Sequence, residues 1–297
     1  MALSKEDYIT KWKGEFNIDE KLQNVSENFE KWFAQIPETY KPIVKTLLEN
    51  FDYYSRKTTN KWLKKLHTDL ISDKNVTDNN TIYAFIKSRD GKSNSSNDYW
   101  TEYKTINEVN SEICYENMDE ILDEQWGFID NIVFVDDFSG SGKSFIDELK
   151  KYPGRYKNKN IYFIAIDIMF SALEEIKAYG LEAQINIVLL VAIKQMKAFE
   201  RHLFDDEEAA KLQVVRMSKD FLIPKKEHLG FCETQALVGF YNNTPNNTLG
   251  FIRYDTVDGY KSLFPRKNDK KPSWQTMNGK SKNRKIANYN NSINNGG

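Results

Sequence analysis

The spacing of hydrophobic residues differs between the first quarter of the chain and the rest. Across residues 5–75 hydrophobic side chains recur every three or four positions, for example at Trp32 and Ile36. This spacing is that of an amphipathic helix. Pro37 and Pro42 interrupt the pattern and mark a break between two helices. We therefore predict that this part of the chain is helical.

After a polar turn at residues 72–75, short runs of β-branched and aromatic residues alternate with helical patterns. The predicted strands cover residues 82–86, 132–135, 161–168 and 185–191, and the predicted helices between them cover 145–152 and 171–179. Strands that are hydrophobic on both faces and separated by helices indicate a parallel sheet covered on both sides. We predict an α/β fold with a parallel sheet flanked by helices, in which ligands bind at the carboxyl ends of the strands.

The pattern is less regular beyond residue 195. A helix is predicted over 205–221, because the four acidic residues at its start suit the positive end of the helix dipole. Residues 231–241 fit a helix or a strand, and residues 248–254 fit a closing strand. From residue 267 the chain is rich in Lys, Asn and Ser, which predicts disorder. The predicted organisation is a helical N-terminal region (1–77), an α/β domain (78–266) and a disordered tail (267–297).

Composition narrows the class of protein. The 42 Lys and Arg residues against 43 Asp and Glu residues leave a net charge of −1, so nothing global indicates a surface for polyanions. The two cysteines, Cys114 and Cys232, cannot form a disulfide framework. No run of about 18 apolar residues exists, and the first residues lack the apolar core of a signal peptide. We therefore predict a cytoplasmic protein without membrane spans.

The segment 131–145 carries the residues best suited to chemistry. A buried strand ends in two acids, Asp136 and Asp137, and a loop of small residues leads into a helix. The candidate phosphate-binding residues are Ser139, Gly140, Ser141, Gly142, Lys143 and Ser144. Glycines allow close backbone approach, and the first N–H groups of a helix favour an anion. Two adjacent acids need a cation or hydroxyl groups nearby, which a ribose diol with Mg²⁺ would supply.

Two known loop types compete for this segment. Residues Gly142, Lys143 and Ser144 match the end of the phosphate-binding loop of P-loop NTPases. That motif requires Gly or Ala five residues before Gly142, where this chain has Asp137. Asp167, at the end of a later strand, is a weak candidate for the second acid of such an enzyme. A tight turn that binds no ligand is the third possibility.

The segment resembles more fully the signature of type I phosphoribosyltransferases. That signature has four apolar residues, two acids, two mostly apolar residues, a variable residue and then Ser/Thr-Gly-x-Ser/Thr. Residues 132–144 follow it in register, with Ser139 the one loose match. The resemblance implies that Asp136 and Asp137 bind the ribose hydroxyls of phosphoribosyl pyrophosphate, with ribose-bound Mg²⁺ beside them. It also implies that residues 139–144 hold the 5-phosphate.

Other features of that family match less fully. By the same resemblance the basic loop with Lys87, Ser88 and Arg89 would bind pyrophosphate, and a solvated basic turn is an equal alternative. Many purine-using members carry an acid at the position of Gly140, where it serves as general base. Its absence in this chain argues against purine salvage.

The C-terminal segments 229–238, 242–249 and 262–266 are similar to the phosphoribosyltransferase-like effector domains of bacterial conflict systems. Such domains occur beside partner genes, including retron reverse transcriptases, in anti-phage loci. The resemblance implies a defence effector that binds and turns over a ribose phosphate or a nucleotide with Mg²⁺, and that has a protein partner such as a reverse transcriptase. A catalytically silent regulator that senses a nucleotide is the alternative, as is the P-loop NTPase.

Overall fold

The computed structural model describes residues 3–87, 95–152, 154–257 and 259–266. These described residues belong to one compact unit. The tail predicted to be disordered, 267–297, lies outside the described residues, as do Ser88 and Arg89 of the predicted pyrophosphate loop. In the part of the chain that is described, no helix has the length and hydrophobicity needed to cross a membrane.

The region predicted to be helical contains four α-helices among its described residues. They are α1 (Lys5–Lys13), α2 (Glu20–Ala34), α3 (Lys41–Glu49) and α4 (Arg56–Ile71). Pro42 lies in the first turn of α3, where a missing N–H costs nothing, so the predicted break is confirmed. A strand of three residues, β1 (Asp52–Tyr54), precedes α4. It was not predicted, because three residues are too few to show a period of two.

The main sheet has five parallel strands in the order β3-β2-β4-β5-β6. The strands are β2 (Thr81–Phe85), β3 (Cys114–Tyr115), β4 (Asn131–Ser139), β5 (Asn160–Met169) and β6 (Asn186–Gln195). The four predicted strands and the parallel α/β architecture are confirmed, with β4 in the centre. The edge strand β3 has only two residues, too short for any sequence pattern.

Helices cover both faces of this sheet. On one face lie α6 (Lys143–Leu149) and α7 (Phe170–Ala183), where the rings of Phe145 and Phe163 stack with centroids 4.4 Å apart. On the other face lie α4 and α5 (Ser95–Ile106), where Tyr103 packs against Tyr83. Strand order reverses between β2 and β4, since β3 lies on one side and the later strands on the other. In open α/β sheets a crevice forms at such a point, at the carboxyl ends of the strands.

The C-terminal segment packs with the N-terminal helices in a second hydrophobic cluster. In this cluster the rings of Trp12 and Phe264 meet edge to face with centroids 5.0 Å apart. Strand β7 (Val238–Phe240) pairs in parallel with β1. The helix predicted over 205–221 is confirmed as α8 (Glu207–Asp220), which is capped by the Asp206 carboxylate.

The closing strand predicted over 248–254 is wrong. Residues Gly250–Arg253 form the short helix α9, and all four are buried. Arg253 stabilises this turn, because its Nε donates to the carbonyl of Thr248 at 2.8 Å and its guanidinium pairs with Glu227 at 2.5 Å. A short hydrophobic run buried on every side has no period that separates helix from strand.

Candidate functional site

A cavity of about 350 Å³ opens where the strand order reverses, at the carboxyl end of β4. Its lining combines the end of β4, the turn after it, the start of α6 and parts of the C-terminal segment. The lining residues are Ile86, Ser96, Asp136–Phe145, Phe231, Asn243, Pro245, Asn246, Asn247 and Arg266. All eight residues of the predicted acid pair and phosphate-binding loop (Asp136, Asp137, Ser139, Gly140, Ser141, Gly142, Lys143 and Ser144) therefore line one cavity.

The two acids are buried in the last part of β4. The strand runs on past Val135, through Asp136 and Asp137, to Ser139. The exposed fractions of Asp136 and Asp137 are 8% and 5%. The N–H of Asp137 donates to Oδ1 of Asp136 at 3.0 Å, and the two carboxyl groups are close enough to interact with each other.

Burial raises the pKa of Asp136 well above its ordinary value, and the negative charge of Asp137 raises it further. Two carboxylates held this close in a buried place are costly unless a proton, a cation or hydroxyl donors meet them. The pair is therefore suited to a ligand that brings positive charge or hydroxyl groups.

The turn after β4 is short and depends on Gly142. Only residues 140–142 separate the end of β4 from the start of α6 at Lys143. Gly142 is the N-cap of α6 with φ +71°, and a Cβ there would lie 3.0 Å from the Ile176 side chain. Among the described residues no side chain caps the helix, so its first N–H groups are available at the mouth of the cavity. Lys143 and Ser144 are both exposed there.

The C-terminal segment packs against this turn, and Asn247 makes the contact. A Cβ on Gly140 would overlap the side-chain amide of Asn247, and a Cβ on Gly230 would overlap its backbone carbonyl. The Nδ2 group of Asn247 donates to Oγ1 of Thr234 at 3.1 Å and to the carbonyl of Phe231 at 3.3 Å. The sequence motif did not assign a role to Asn247, because the residue lies more than a hundred positions from the loop it contacts.

Ser96 links the two strands that flank the cavity. Its Oγ donates to the carbonyl of Val135 at 2.9 Å and accepts from the N–H of Ile86 at 3.1 Å. The last residue pair between β2 and β4 is Phe85 with Val135, so Ser96 continues the connection just where the ladder ends. A single serine in a polar stretch gives no signal in the sequence.

Two basic residues outside the loop, Lys87 and Arg266, differ in their position relative to the cavity. Lys87 is not part of the cavity lining, since its Nζ donates to Oδ1 of Asn117 at 3.3 Å and its N–H donates to the buried Glu148 at 3.0 Å. Its role in binding pyrophosphate, with Ser88 and Arg89, stays a prediction. Arg266 does line the cavity, and its Nη1 donates to the carbonyl of Thr244 at 2.7 Å.

The side chains at the site include few groups that could coordinate Mg²⁺. The described residues contain no group of three or more His, Cys, Asp or Glu side chains arranged to hold a metal. Mg²⁺ is commonly bound through one or two carboxylates, with phosphate oxygens and water completing its shell. The Asp136 and Asp137 pair therefore fits a Mg²⁺ that arrives with an anionic ligand, rather than one held by protein side chains alone.

The structure of the turn after β4 does not match a P-loop. Its phosphate cradle requires a loop that starts five residues before Gly142. Here Phe138 and Ser139 still pair with β5, so the chain leaves the strand only at Gly140. Asp167, the candidate second acid, does not line the cavity.

Comparison with known families agrees with the geometry of the loop. The model of the PRTase-CE family matches residues 29–266 of this chain. The chain belongs to the PRTase-CE family. These proteins are the phosphoribosyltransferase-type effectors of conflict systems, so the predicted resemblance is confirmed. The match covers the N-terminal helices from the middle of α2 as well as the sheet and the C-terminal segment.

Two solved structures share features of the fold at low similarity. One is a xanthine-guanine-hypoxanthine phosphoribosyltransferase of Helicobacter pylori, at 16% identity over 48% of this chain and 88% of that chain, with a TM-score of 0.32. The other is a hypothetical protein of Neisseria gonorrhoeae with bound ppGpp, at 10% identity over 57% of this chain and 97% of that chain, with a TM-score of 0.33. No curated protein sequence matches the chain significantly.

Proposed function

We propose that this PRTase-CE protein binds a ribose phosphate, either phosphoribosyl pyrophosphate or a nucleotide, together with Mg²⁺, and turns it over as the effector of an anti-phage defence system. The observation that carries the proposal is the buried pair Asp136 and Asp137, which lies in the same cavity as the turn at 140–142. The cavity volume of about 350 Å³ is in the range of small-molecule sites.

The acids and the turn suit different parts of such a ligand. The carboxylates of Asp136 and Asp137 would accept hydrogen bonds from the two ribose hydroxyls, and such bonds offset the repulsion within the pair. The backbone N–H groups that start α6 would donate to the 5-phosphate, aided by the hydroxyls of Ser141 and Ser144. Lys143 and Arg266 would add positive charge at the rim.

In a transfer or cleavage reaction the protein acts mainly by position and charge. When bound, Mg²⁺ would offset the charge that builds on a departing diphosphate. Asp136 and Asp137 would hold the ribose in place while positive charge develops at its anomeric carbon, and the turn would fix the opposite end through the phosphate. Both contacts restrict the sugar to one orientation.

The second candidate function, a silent regulator that senses a nucleotide, has one observation in its favour. The side-chain amide of Asn247 occupies the space beside Gly140, and an amide cannot accept a proton as a carboxylate does. Apart from the Asp136 and Asp137 pair, the described lining of the cavity has no acid that could serve as general base. A protein of this kind would bind the ligand and leave it intact.

Calorimetry and phosphorus NMR on the purified full chain separate these functions. We expect phosphoribosyl pyrophosphate or a nucleotide to bind only with Mg²⁺, and the phosphorus spectrum to change with time. Binding without any change in the spectrum would favour the silent regulator. Absence of binding for phosphoribosyl pyrophosphate, ATP and GTP with Mg²⁺ would refute the site assignment.

The proposal includes a protein partner in a defence complex, such as a reverse transcriptase. Affinity purification of the tagged protein from its native host, with and without phage infection, tests this part. Metabolite profiling of the same cells, compared with cells that carry the Asp136→Asn, Asp137→Asn double variant, identifies the ligand that the active protein consumes.

A further inference from the structure

The two edges of the main sheet differ in length and protection. The β3 edge consists of two residues, whereas the β6 edge has ten. Of the residues that the structure describes, none pairs with the outer side of β6. A free edge presents a row of unpaired backbone N–H and C=O groups, and a long hydrophobic edge readily pairs with another strand.

The residue pattern of β6 is unusual for an edge. Residues 187–193 are all hydrophobic, and each is half-buried. Helix α7 covers one face of the strand, where the Ile187 side chain lies close to Gly180, and α4 packs on the other face. Natural edge strands are commonly shortened, charged or interrupted by Pro. Lys194 and the terminal amides are the polar residues of β6.

We propose that β6 pairs in antiparallel fashion with β6 of a second copy of this chain, about a two-fold axis at Leu190. Two five-stranded sheets would then form one continuous ten-stranded sheet. A two-fold interface must be complementary to itself, and this strand meets that condition. With Leu190 on the axis, the opposed pairs are Leu189 with Val191, Val188 with Ala192, Ile187 with Ile193 and Asn186 with Lys194.

The charge distribution also favours a second copy as the occupant. This register sets no two like charges against each other, because Lys194 lies opposite Asn186. Directly opposed residues in an antiparallel pair lie on the same face. On that face, at the Asn186 end, Asp73 accepts a hydrogen bond from Tyr162 at 2.8 Å, and Tyr162 is the ladder neighbour of Val188. The lysine of one copy would therefore lie at the end of the strand nearest to Asp73 of the other copy.

The paired edge leaves the candidate site open. The cavity lies at the carboxyl ends of β2 and β4, and β5 separates β4 from β6. Each copy would keep its own complete cavity. The dimer therefore does not depend on the proposed function, and the tests of the two are separate.

Light scattering coupled to size exclusion tests the assembly with the full chain. We expect a mass of twice 34.8 kDa for the parent protein. Leu190→Lys and Leu190→Glu should each give monomers, because two like charges then meet at the axis. An equal mixture of the two variants should recover the dimer, which shows that each variant is still folded. Leu212→Lys, which changes an exposed leucine on α8, is the matched control and should stay dimeric.

Cross-linking then tests the register. In a Cys114→Ser, Cys232→Ser background, Leu190→Cys should form a disulfide-linked dimer on mild oxidation, since residues on the axis face themselves. Val188→Cys should cross-link only when mixed with Ala192→Cys. A parent protein that is monomeric at high micromolar concentration, or a dimer that survives both Leu190 charge variants, would overturn the proposal.

Discussion

Two buried carboxyl sites lie at the carboxyl ends of neighbouring strands, and their surroundings differ. On β4, Asp136 and Asp137 border a cavity that a ligand can enter. On β5, Asp167 is enclosed by protein: its Oδ2 accepts hydrogen bonds from the hydroxyl of Tyr54 at 2.9 Å and from the amide of Gln195. Phe138 and Asp167 are ladder partners, so the sites are close in the sheet.

Burial raises the pKa at both sites. It raises the pKa of Asp167 to about 8, with smaller effects from its hydrogen-bond partners and charged neighbours such as Asp52 and Arg201. A raised pKa alone therefore does not mark a ligand site. What distinguishes Asp136 is a second carboxylate beside it and access from solvent through the cavity. At Asp167, Tyr54 and Gln195 donate to Oδ2, and the carboxyl group does not line the cavity.

The sharpest test of this comparison replaces the acids at each site by amides. Asp136→Asn with Asp137→Asn should lower ligand affinity at least about 100-fold, because charge-assisted hydrogen bonds to both ribose hydroxyls are lost. The thermal midpoint should hold or rise, because the repulsion within the pair is removed. Calorimetry and thermal unfolding measure the two effects.

Two single variants serve as the negative and positive controls for the loss of affinity. Asp167→Asn should leave ligand affinity unchanged, since its carboxyl group is outside the cavity. Ser144→Asp should abolish binding, because it sets a negative charge where the phosphate is proposed to lie. Retention of activity by the double variant would show that Asp136 and Asp137 are structural, like Asp167.

The pH dependence of the unfolding free energy tests the protonation state of Asp167. Its folded-state pKa of about 8 is above the ordinary value for Asp, so the folded state holds an extra proton between these two values. The stabilisation is fully present below the ordinary pKa and is lost as pH rises towards about 8. Asp167→Asn imitates the protonated acid and should remove this loss.

Denaturant unfolding of the parent and of Asp167→Asn, from pH 5 to pH 8, measures the effect. We expect the parent to lose stability relative to the variant by up to about 1.4 kcal/mol per pH unit. A constant difference across this range would show that Asp167 holds no extra proton in the folded state.

The smallest expected effect concerns Lys143. In a phosphoribosyltransferase-type turn the phosphate is held mainly by backbone N–H groups and hydroxyls, and Lys143 is exposed. Lys143→Ala should therefore cost about 1 kcal/mol, roughly fivefold in affinity. Titration with phosphoribosyl pyrophosphate and with ATP measures the change. Near-total loss of ATP binding, in a protein that never bound phosphoribosyl pyrophosphate, would instead support NTPase chemistry.

The sequence by itself determined the features that depend on neighbouring residues. The hydrophobic runs of β2, β4, β5 and β6 predict a parallel sheet because each strand must be buried on both faces. The acid pair and the glycine turn after β4 could likewise be identified in advance, since their chemistry depends on residue type and spacing within thirteen positions.

Only the tertiary structure decided the features that join distant segments. Ser96 links two strand ends, Asn247 covers Gly140, and Arg266 reaches the cavity. The neighbouring Asp137 and the glycine turn mark Asp136 in the sequence, whereas no local pattern shows that Asp167, near the end of the next hydrophobic strand, is enclosed by protein. That enclosure comes from Tyr54 and Gln195, which are distant in the sequence and donate hydrogen bonds to Asp167. Such contacts result from how the whole core packs, which no local pattern of residues encodes.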